Sequence, residues 1–246
     1  MSSVTEQKPG ESSLGHMPND RWTFDQSVTA VFSDMLTRSI PQYEVMRQCV
    51  FDLGTHWVQP GTAIVDLGCS RGDALAPFVS KFQQQNTYFG AEISKPMLTA
   101  AKDRFYNEIA RGFVNIAELD LRTGYPRVAA SLTLCILTLQ FTPLEHRQRI
   151  LYDAYLNTVE GGAFMLVEKI LGSSAGINNT MVNLYHERKR AAGYSTEEIE
   201  RKKMALEGVL VPITARWNEE LLGSAGFRQV DCFWRWMNFS GWIAIK

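Results

Sequence analysis

Hydrophobic positions in the middle of the chain fall into short, mostly apolar runs that are separated by longer amphipathic segments. The apolar runs predict buried strands at residues 63–67, 87–92, 113–118, 132–137 and 163–167. The segments between them repeat apolar residues every three or four positions and predict helices over 74–82, 96–109 and 144–156. Because strands that alternate with helices build βαβ units, we predict an α/β fold with a doubly wound, mostly parallel sheet.

The two ends of the chain follow different patterns. Residues 1–20 are rich in Ser, Gly, Pro, Glu and Gln and are predicted to form a mobile polar tail before a single domain over 21–246. Residues 228–236 and 239–245 are strand-like and are separated by only two residues, which predicts an antiparallel hairpin. A mostly parallel seven-stranded sheet that ends in such a hairpin is typical of Rossmann-like class I methyltransferases.

Two segments are predicted to cover the ligand-binding end of the sheet. Apolar residues at helical spacing predict two helices within residues 21–55, before the first strand. Residues 172–222 contain two charged helical segments, at 185–190 and 196–206. Open α/β sheets bind ligands at the carboxyl ends of their strands, so these helices are interpreted as a lid over that end. The alternative is that they are packing helices without a role in binding.

Composition and charge exclude several classes of protein. The 246 residues carry a formal net charge of −1 with a pI near 6.4, so no direct nucleic-acid partner is expected. No apolar stretch approaches the roughly 20 residues that span a bilayer, so no membrane partner is expected. The four cysteines are scattered and no leader-like segment opens the chain, which predicts a cytoplasmic protein with reduced thiols and no metal site.

The loop from Asp66 to Gly72, which follows the first predicted strand, carries the clearest chemical signal. Its glycines at 68 and 72 do not match the Gly-x-Gly-x-x-Gly spacing that brings a backbone close to a pyrophosphate. Asp66 instead favours a cationic group, and Gly68 lets the backbone approach the ligand. The succession of acid, glycine and small residues, here Cys69 and Ser70, predicts S-adenosylmethionine (SAM) as the cofactor.

Two more acidic residues follow the next two strands. Glu92 ends the second strand, where a carboxylate can accept hydrogen bonds from both ribose hydroxyls. Asp120 follows the third strand, where it can accept a hydrogen bond from the adenine amino group, and the N–H of Leu121 can meet a ring nitrogen. Together with Asp66 these residues predict an adenosine site. The less favoured alternative is that the three acids only cap helices.

Short segments over almost the whole chain match one known family. They lie at residues 22–25, 31–35, 38–43, 58–61, 66–70, 138–141, 168–169, 189–195 and 238–239. In these segments the chain resembles the carboxy-SAM synthase (CmoA) family. That family converts SAM to carboxy-SAM with prephenate, for the modification of a tRNA wobble uridine. The resemblance therefore implies SAM or carboxy-SAM as the ligand, and it also implies a homodimer.

The resemblance assigns ligand contacts to individual positions. The retained contacts fall on Tyr43, Gly68, Glu92, Asp120 and Leu121. Two positions depart from the family: an asparagine at the end of the fourth strand aligns with Ile136, and the arginine that holds the extra carboxylate of carboxy-SAM aligns with Lys203. Arginine offers a carboxylate a two-pronged contact whereas lysine offers a point charge, so this exchange alters the predicted binding of that carboxylate.

Methyl transfer from SAM to a small-molecule acceptor is the activity favoured by these departures. An enzyme of this class aligns an acceptor with the methyl carbon, and a general base can assist. Tyr43, His186 and Tyr194 are the candidate catalytic residues. The alternatives are a surface histidine at 186 and tyrosines that serve only in packing.

Two other functions stay open. Carboxy-SAM synthesis is the activity that the resemblance implies, and basic residues at 188–190 and 201–203 could hold an anionic substrate. Interleaved glutamates make a solvated helix face the alternative for this basic segment. A non-catalytic, dimeric SAM-binding protein is the third hypothesis, and the complete loop and acid series argue against it.

Overall fold

The structure, a computed structural model, describes residues 21–246 and contains the predicted sheet. Seven strands lie in the order β3-β2-β1-β4-β5-β8-β7, and a short strand, β6, pairs with β5. The strands from β1 to β5 pair in parallel, and β8 runs antiparallel to both β5 and β7. Their bounds are β1 Ala63–Leu67, β2 Thr87–Glu92, β3 Val114–Glu118, β4 Ala130–Ile136, β5 Thr158–Leu171, β6 Ile213–Thr214, β7 Gln229–Trp236 and β8 Phe239–Ile245.

The predicted α/β fold with a C-terminal hairpin is confirmed, with β6 as one short addition. Strand β5 extends beyond the predicted 163–167 at both ends. At its start, Thr158 pairs with β4 across an irregularity that contains Gly161 and Gly162, and at its end residues 168–171 pair with β8 and β6. Gly161 has a backbone φ of +69°, a conformation that residues other than glycine rarely adopt. The two glycines therefore bend the strand instead of ending the helix before it. The predicted tail at 1–20 lies outside the described residues.

Ten α-helices are found in the described part of the chain. They are α1 Gln26–Ala30, α2 Phe32–Ser39, α3 Tyr43–Thr55, α4 Ala76–Phe82, α5 Lys95–Arg104, α6 Tyr106–Ala110, α7 Leu144–Asn157, α8 Ala175–Ala191, α9 Thr196–Leu206 and α10 Ala215–Ala225. The predicted helix over 96–109 is two helices, because the chain turns at Phe105, whose ring is buried beneath Gly72. None of the helices in this part of the chain has the length and apolar character needed to cross a membrane.

The sheet separates two hydrophobic cores. Ile64 of β1 faces the core formed with α3 and α4, while Val65 and Leu67 face the core formed with α7 and α10. This alternation follows from the two-residue period of a strand. A third cluster joins Trp22 and Phe32 to Ala205 of α9, and the N–H of Trp22 donates to the carbonyl of Ala205 at 2.8 Å. The N-terminal helices and α9 therefore pack together as one cover.

Candidate functional site

A cavity of about 650 Å³ lies between the carboxyl ends of the strands and this helical cover. Its floor is formed by strand-end residues that the sheet order arranges in a row. Asp120 follows β3, Glu92 ends β2, Asp66 lies in β1, Ile136 ends β4 and Lys169 lies near the end of β5. The volume is in the usual range for a small-molecule site, and the position is the one that open α/β sheets use.

Asp66 is the acid at the centre of this row. Its side chain is buried, lines the cavity, and has one oxygen, Oδ2, without a hydrogen-bond partner. Burial raises the pKa of Asp66 to about 7, and the positive charge of Arg47 acts in the opposite direction. A buried carboxylate oxygen without a partner is costly unless a ligand supplies a donor or a positive charge. The site therefore fits an ammonium or sulfonium group.

The backbone of the loop at residues 68–72 borders the cavity. Gly68 has φ +72, and a Cβ at this position would overlap the side chain of Thr138, two residues after the end of β4. The N–H groups of Gly68 and Cys69 both donate to the carbonyl of Ala91, at 2.8 and 2.9 Å. Ser70 also has a positive φ of 48°. The predicted loop residues at 68, 69 and 70 all line the cavity.

Glu92, at the end of β2, is hydrogen-bonded to the loop. Its carboxylate accepts hydrogen bonds from the N–H groups of Ser70, Ile93 and Ser94 at 2.7–2.8 Å. Burial raises the pKa of Glu92, and these three donors act against that shift. A carboxylate has about four acceptor positions, so capacity for a ligand hydroxyl is retained.

Asp120 lies at the edge of the cavity in an ion pair that the sequence did not reveal. Arg122 donates to both carboxylate oxygens, with Nε at 3.0 Å from each and Nη2 at 2.7 Å from Oδ2. This hydrogen bonding holds the pKa of Asp120 below its ordinary value. Leu121, beside it, is buried and lines the cavity as predicted. The Asp-x-Arg spacing was the signal that could have identified Arg122.

The other predicted site residues divide into two groups. Tyr43 and Ile136 line the cavity. His186, Tyr194 and Lys203 do not line it in the described part of the chain. Lys203 is exposed and pairs with Glu200 at 3.3 Å.

Tyr194 and His186 contact other residues of the cover. The Tyr194 ring is buried under the guanidinium of Arg38, 4.3 Å from its centroid, and the hydroxyl lies 3.2 Å from Ser39 Oγ. His186 lies beside Tyr185, with 5.9 Å between the ring centroids, and burial lowers the pKa of His186.

The cavity instead contains two lysines. Lys202 is buried and belongs to the basic segment 201–203 that the sequence offered as a possible anion site, whereas Lys169 is half-buried and was not a candidate. Lys169 extends from β5, and Lys202 extends from α9. Lys202 Nζ donates to Ser39 Oγ at 3.3 Å and lies 5.0 Å from the Trp22 ring centroid. Successive residues of a helix point about 100° apart, so Lys202 faces inward where Lys203 faces solvent. The buried positions of α9, Ile199, Lys202 and Ala205, follow this helical period and were the available signal.

The fold is similar to that of solved methyltransferases. Human N-acetylserotonin methyltransferase in complex with SAM aligns over 90% of this chain with TM-score 0.57 and 18% identity. An O-methyltransferase family protein from Burkholderia thailandensis aligns over 90% with TM-score 0.62 and 17% identity. The chain spans only 55% and 60% of those two proteins, and at this identity the likeness shows the fold alone.

Sequence relatives define the family more narrowly. The carboxy-SAM synthase of Methylococcus capsulatus is 38% identical over 228 residues, which cover 92% of this chain and 94% of that protein. The carboxy-SAM synthase of Staphylococcus epidermidis is 32% identical over 92% of this chain and 97% of that protein. No protein-family model matches the chain. The chain belongs to the carboxy-SAM synthase family.

Proposed function

We propose that this protein is a carboxy-SAM synthase, which transfers a carboxyl group from prephenate to the methyl carbon of SAM. The observation that carries this proposal is the pair of lysines at the cavity wall, buried Lys202 and half-buried Lys169. An anionic donor needs such cations, whereas methyl transfer to a neutral acceptor does not. The two relatives described above, which align over most of the chain, are both named carboxy-SAM synthase.

SAM fits the acidic half of the cavity. The unpartnered oxygen of Asp66 suits the charged methionine portion, and the remaining acceptor capacity of Glu92 suits the ribose. Asp120, held by Arg122, offers a carboxylate to the adenine amino group. SAM supplies a methyl carbon that the neighbouring sulfonium makes acidic. The residues of the chain would bind it, orient it and keep water away from it.

The proposed reaction balances without a further reactant. The ring carboxyl of prephenate leaves as carbon dioxide and the ring hydroxyl leaves as hydroxide, which makes the ring aromatic. The hydroxide takes one proton from the methyl group and becomes water. The carbon–hydrogen electron pair then forms the new bond to carbon dioxide. No protein base is needed for this proton, which agrees with the finding that His186 and Tyr194 are not among the described residues that line the cavity.

Methyl transfer is the second candidate, and one sequence feature favours it. Lys203 stands where the resemblance implies an arginine for the carboxylate of carboxy-SAM. Incubating the purified protein with SAM and prephenate, and identifying the nucleosides by mass spectrometry, separates the two candidates. Carboxy-SAM formed only when both are present supports the proposal. S-adenosylhomocysteine formed only with another acceptor would exclude it.

Replacing Asp120 with alanine is expected to weaken SAM binding by about 1–3 kcal/mol, because the adenine amino group loses a charged acceptor. A calorimetric titration of SAM measures this change. Asp103→Ala, which removes an exposed aspartate from α5, serves as the matched control and should leave the affinity unchanged. Equal affinities for the two variants would remove Asp120 from the site.

A further inference from the structure

The end of the cavity away from Asp120 carries an unusual group of cations. Lys169 of β5, Lys189 of α8 and Lys202 of α9, the lysine cluster, converge on two aromatic rings. Lys169 Nζ lies 4.9 Å from the centroid of Tyr185. Lys189 Nζ lies 4.8 Å from that of Tyr194, and Lys202 Nζ lies 5.8 Å from the same centroid. Three separate elements therefore bring three ammonium groups to one place.

Carboxylates do not neutralise this cluster. Among residues 21–246, no carboxylate oxygen lies within 4.0 Å of any of the three ammonium groups. Glu198 is near enough to favour the charge of Lys189, but its carboxylate accepts from the N–H of Ser195 at 2.6 Å. Buried charges without counter-charges are costly, which indicates that the missing negative charge comes from a ligand.

The groups next to the cluster do not supply the missing negative charge. Arg38 of α2 stacks on Tyr194 and pairs with Asp34 at 3.4 Å, and burial together with Lys189 and Lys169 lowers the pKa of His186 of α8. Burial and the other cations lower the pKa of Lys202 to about 7, and burial lowers the pKa of Lys169 and of Lys189 to about 8.

The sheet order separates the cluster from the nucleoside acids. Lys169 lies on β5, two strands beyond β1, whereas the strands that carry Glu92 and precede Asp120 lie on the opposite side of β1. Lys169 and Lys202 line the cavity beside the apolar walls formed by Trp22, Tyr185 and Phe239. An anion that binds here would therefore be part of the second substrate, the carboxyl donor. The rest of that substrate would contact these aromatic rings.

We propose that the lysine cluster is the subsite for the carboxylate that the carboxyl donor keeps after the reaction. This inference rests on the proposed function. The donor is then a dicarboxylate with an unsaturated, apolar body: one carboxylate departs as carbon dioxide, and the other stays bound to Lys169 and Lys202, with Lys189 behind them. Nothing on the nucleoside takes part in this contact.

The subsite has a defined pH dependence. A bound carboxylate favours charged lysines, so binding raises the lysine pKa values and takes up protons from solution. Donor affinity is therefore highest below pH about 7 and falls as the pH rises through 7 to 8, where the unbound lysines lose their protons. Arginine at position 202 would stay charged throughout and reduce this dependence.

Steady-state kinetics with SAM and prephenate test the subsite. In Lys202→Met and Lys169→Met, which keep the apolar stem, we expect the KM for prephenate to rise about tenfold to a hundredfold while the KM for SAM stays within about twofold. Lys102→Met, an exposed lysine of α5, is the control and should match the parent protein. Lys202→Arg should retain binding and lose much of the pH dependence.

Each outcome bears on one claim. If the parent protein makes carboxy-SAM but both methionine variants keep the parent KM for prephenate, the subsite is overturned and the proposed function stands. If the variants instead lose affinity for carboxy-SAM alone in a titration, the cluster holds the product's carboxylate and the inference is also overturned. If the parent protein makes no carboxy-SAM, the proposed function fails. Unchanged affinity for SAM in the variants shows that they are folded.

Discussion

Replacing Gly68 with alanine is expected to reduce the affinity for SAM by about 2–5 kcal/mol, or roughly thirtyfold to several thousandfold. The backbone at Gly68 has φ +72, and the added methyl group would overlap Thr138. The loop must therefore move away from the ligand or push Thr138 out of place. A titration of SAM, combined with urea unfolding, distinguishes lost affinity from lost stability.

Gly61→Ala is the matched control for this substitution. Gly61 has φ +77, so it meets the same conformational strain, but a Cβ there would contact nothing within 4 Å. The Gly61→Ala substitution should lower the free energy of unfolding by about 1–2 kcal/mol and leave the affinity for SAM unchanged. Gly68→Ala with an affinity within threefold of the parent would contradict the close approach of this backbone to the ligand.

Replacing Arg147 with methionine is expected to lower the free energy of unfolding by about 3–5 kcal/mol. The buried guanidinium donates to the carbonyls of Thr142, Gln140 and Val211, at 2.7–3.3 Å, and its charge favours the ionised form of buried Glu168. The variant leaves all three carbonyls and the carboxylate without this partner. Urea unfolding measures the loss.

The control for Arg147 is Arg216→Met, which removes an exposed arginine paired with Glu220 and should cost less than about 1 kcal/mol. Burial raises the pKa of Glu168 to about 8, above the unfolded value, so its ionisation destabilises the fold as the pH rises toward 8. This loss should be larger in Arg147→Met. Equal stability of the two arginine variants would contradict the role of Arg147.

The sheet could be predicted from sequence because its central strands are buried on both faces. Residues of β1 are apolar throughout apart from Asp66, and the two-residue spacing before β8 admits little but a hairpin. The break at Phe105 could not be predicted, because both halves continue a helical pattern. It depends on a tertiary contact between the Phe105 ring and Gly72. The length of β5 likewise depends on its pairing with β4 at one end and with β8 and β6 at the other.

The acidic half of the site was predictable because its residues follow strands whose ends must share one edge of the sheet. Asp66, Glu92 and Asp120 all line the cavity. In the basic half, the segment 201–203 was recognised as a possible anion site, but Lys202 was not singled out, because adjacent helix positions separate an inward lysine from an outward one. Lys202 and Lys203 differ only in which side of α9 meets Trp22. The cytoplasmic location and the homodimer stay predictions.

The fate of the labelled methyl group tests the proposed chemistry most directly. SAM that carries three deuterium atoms on its methyl carbon is incubated with prephenate that carries carbon-13 in its ring carboxyl. Carboxy-SAM synthesis predicts a nucleoside that gains the carbon-13 label and keeps two of the three deuterium atoms. Unlabelled S-adenosylhomocysteine, with all three deuterium atoms transferred to an acceptor, would contradict it.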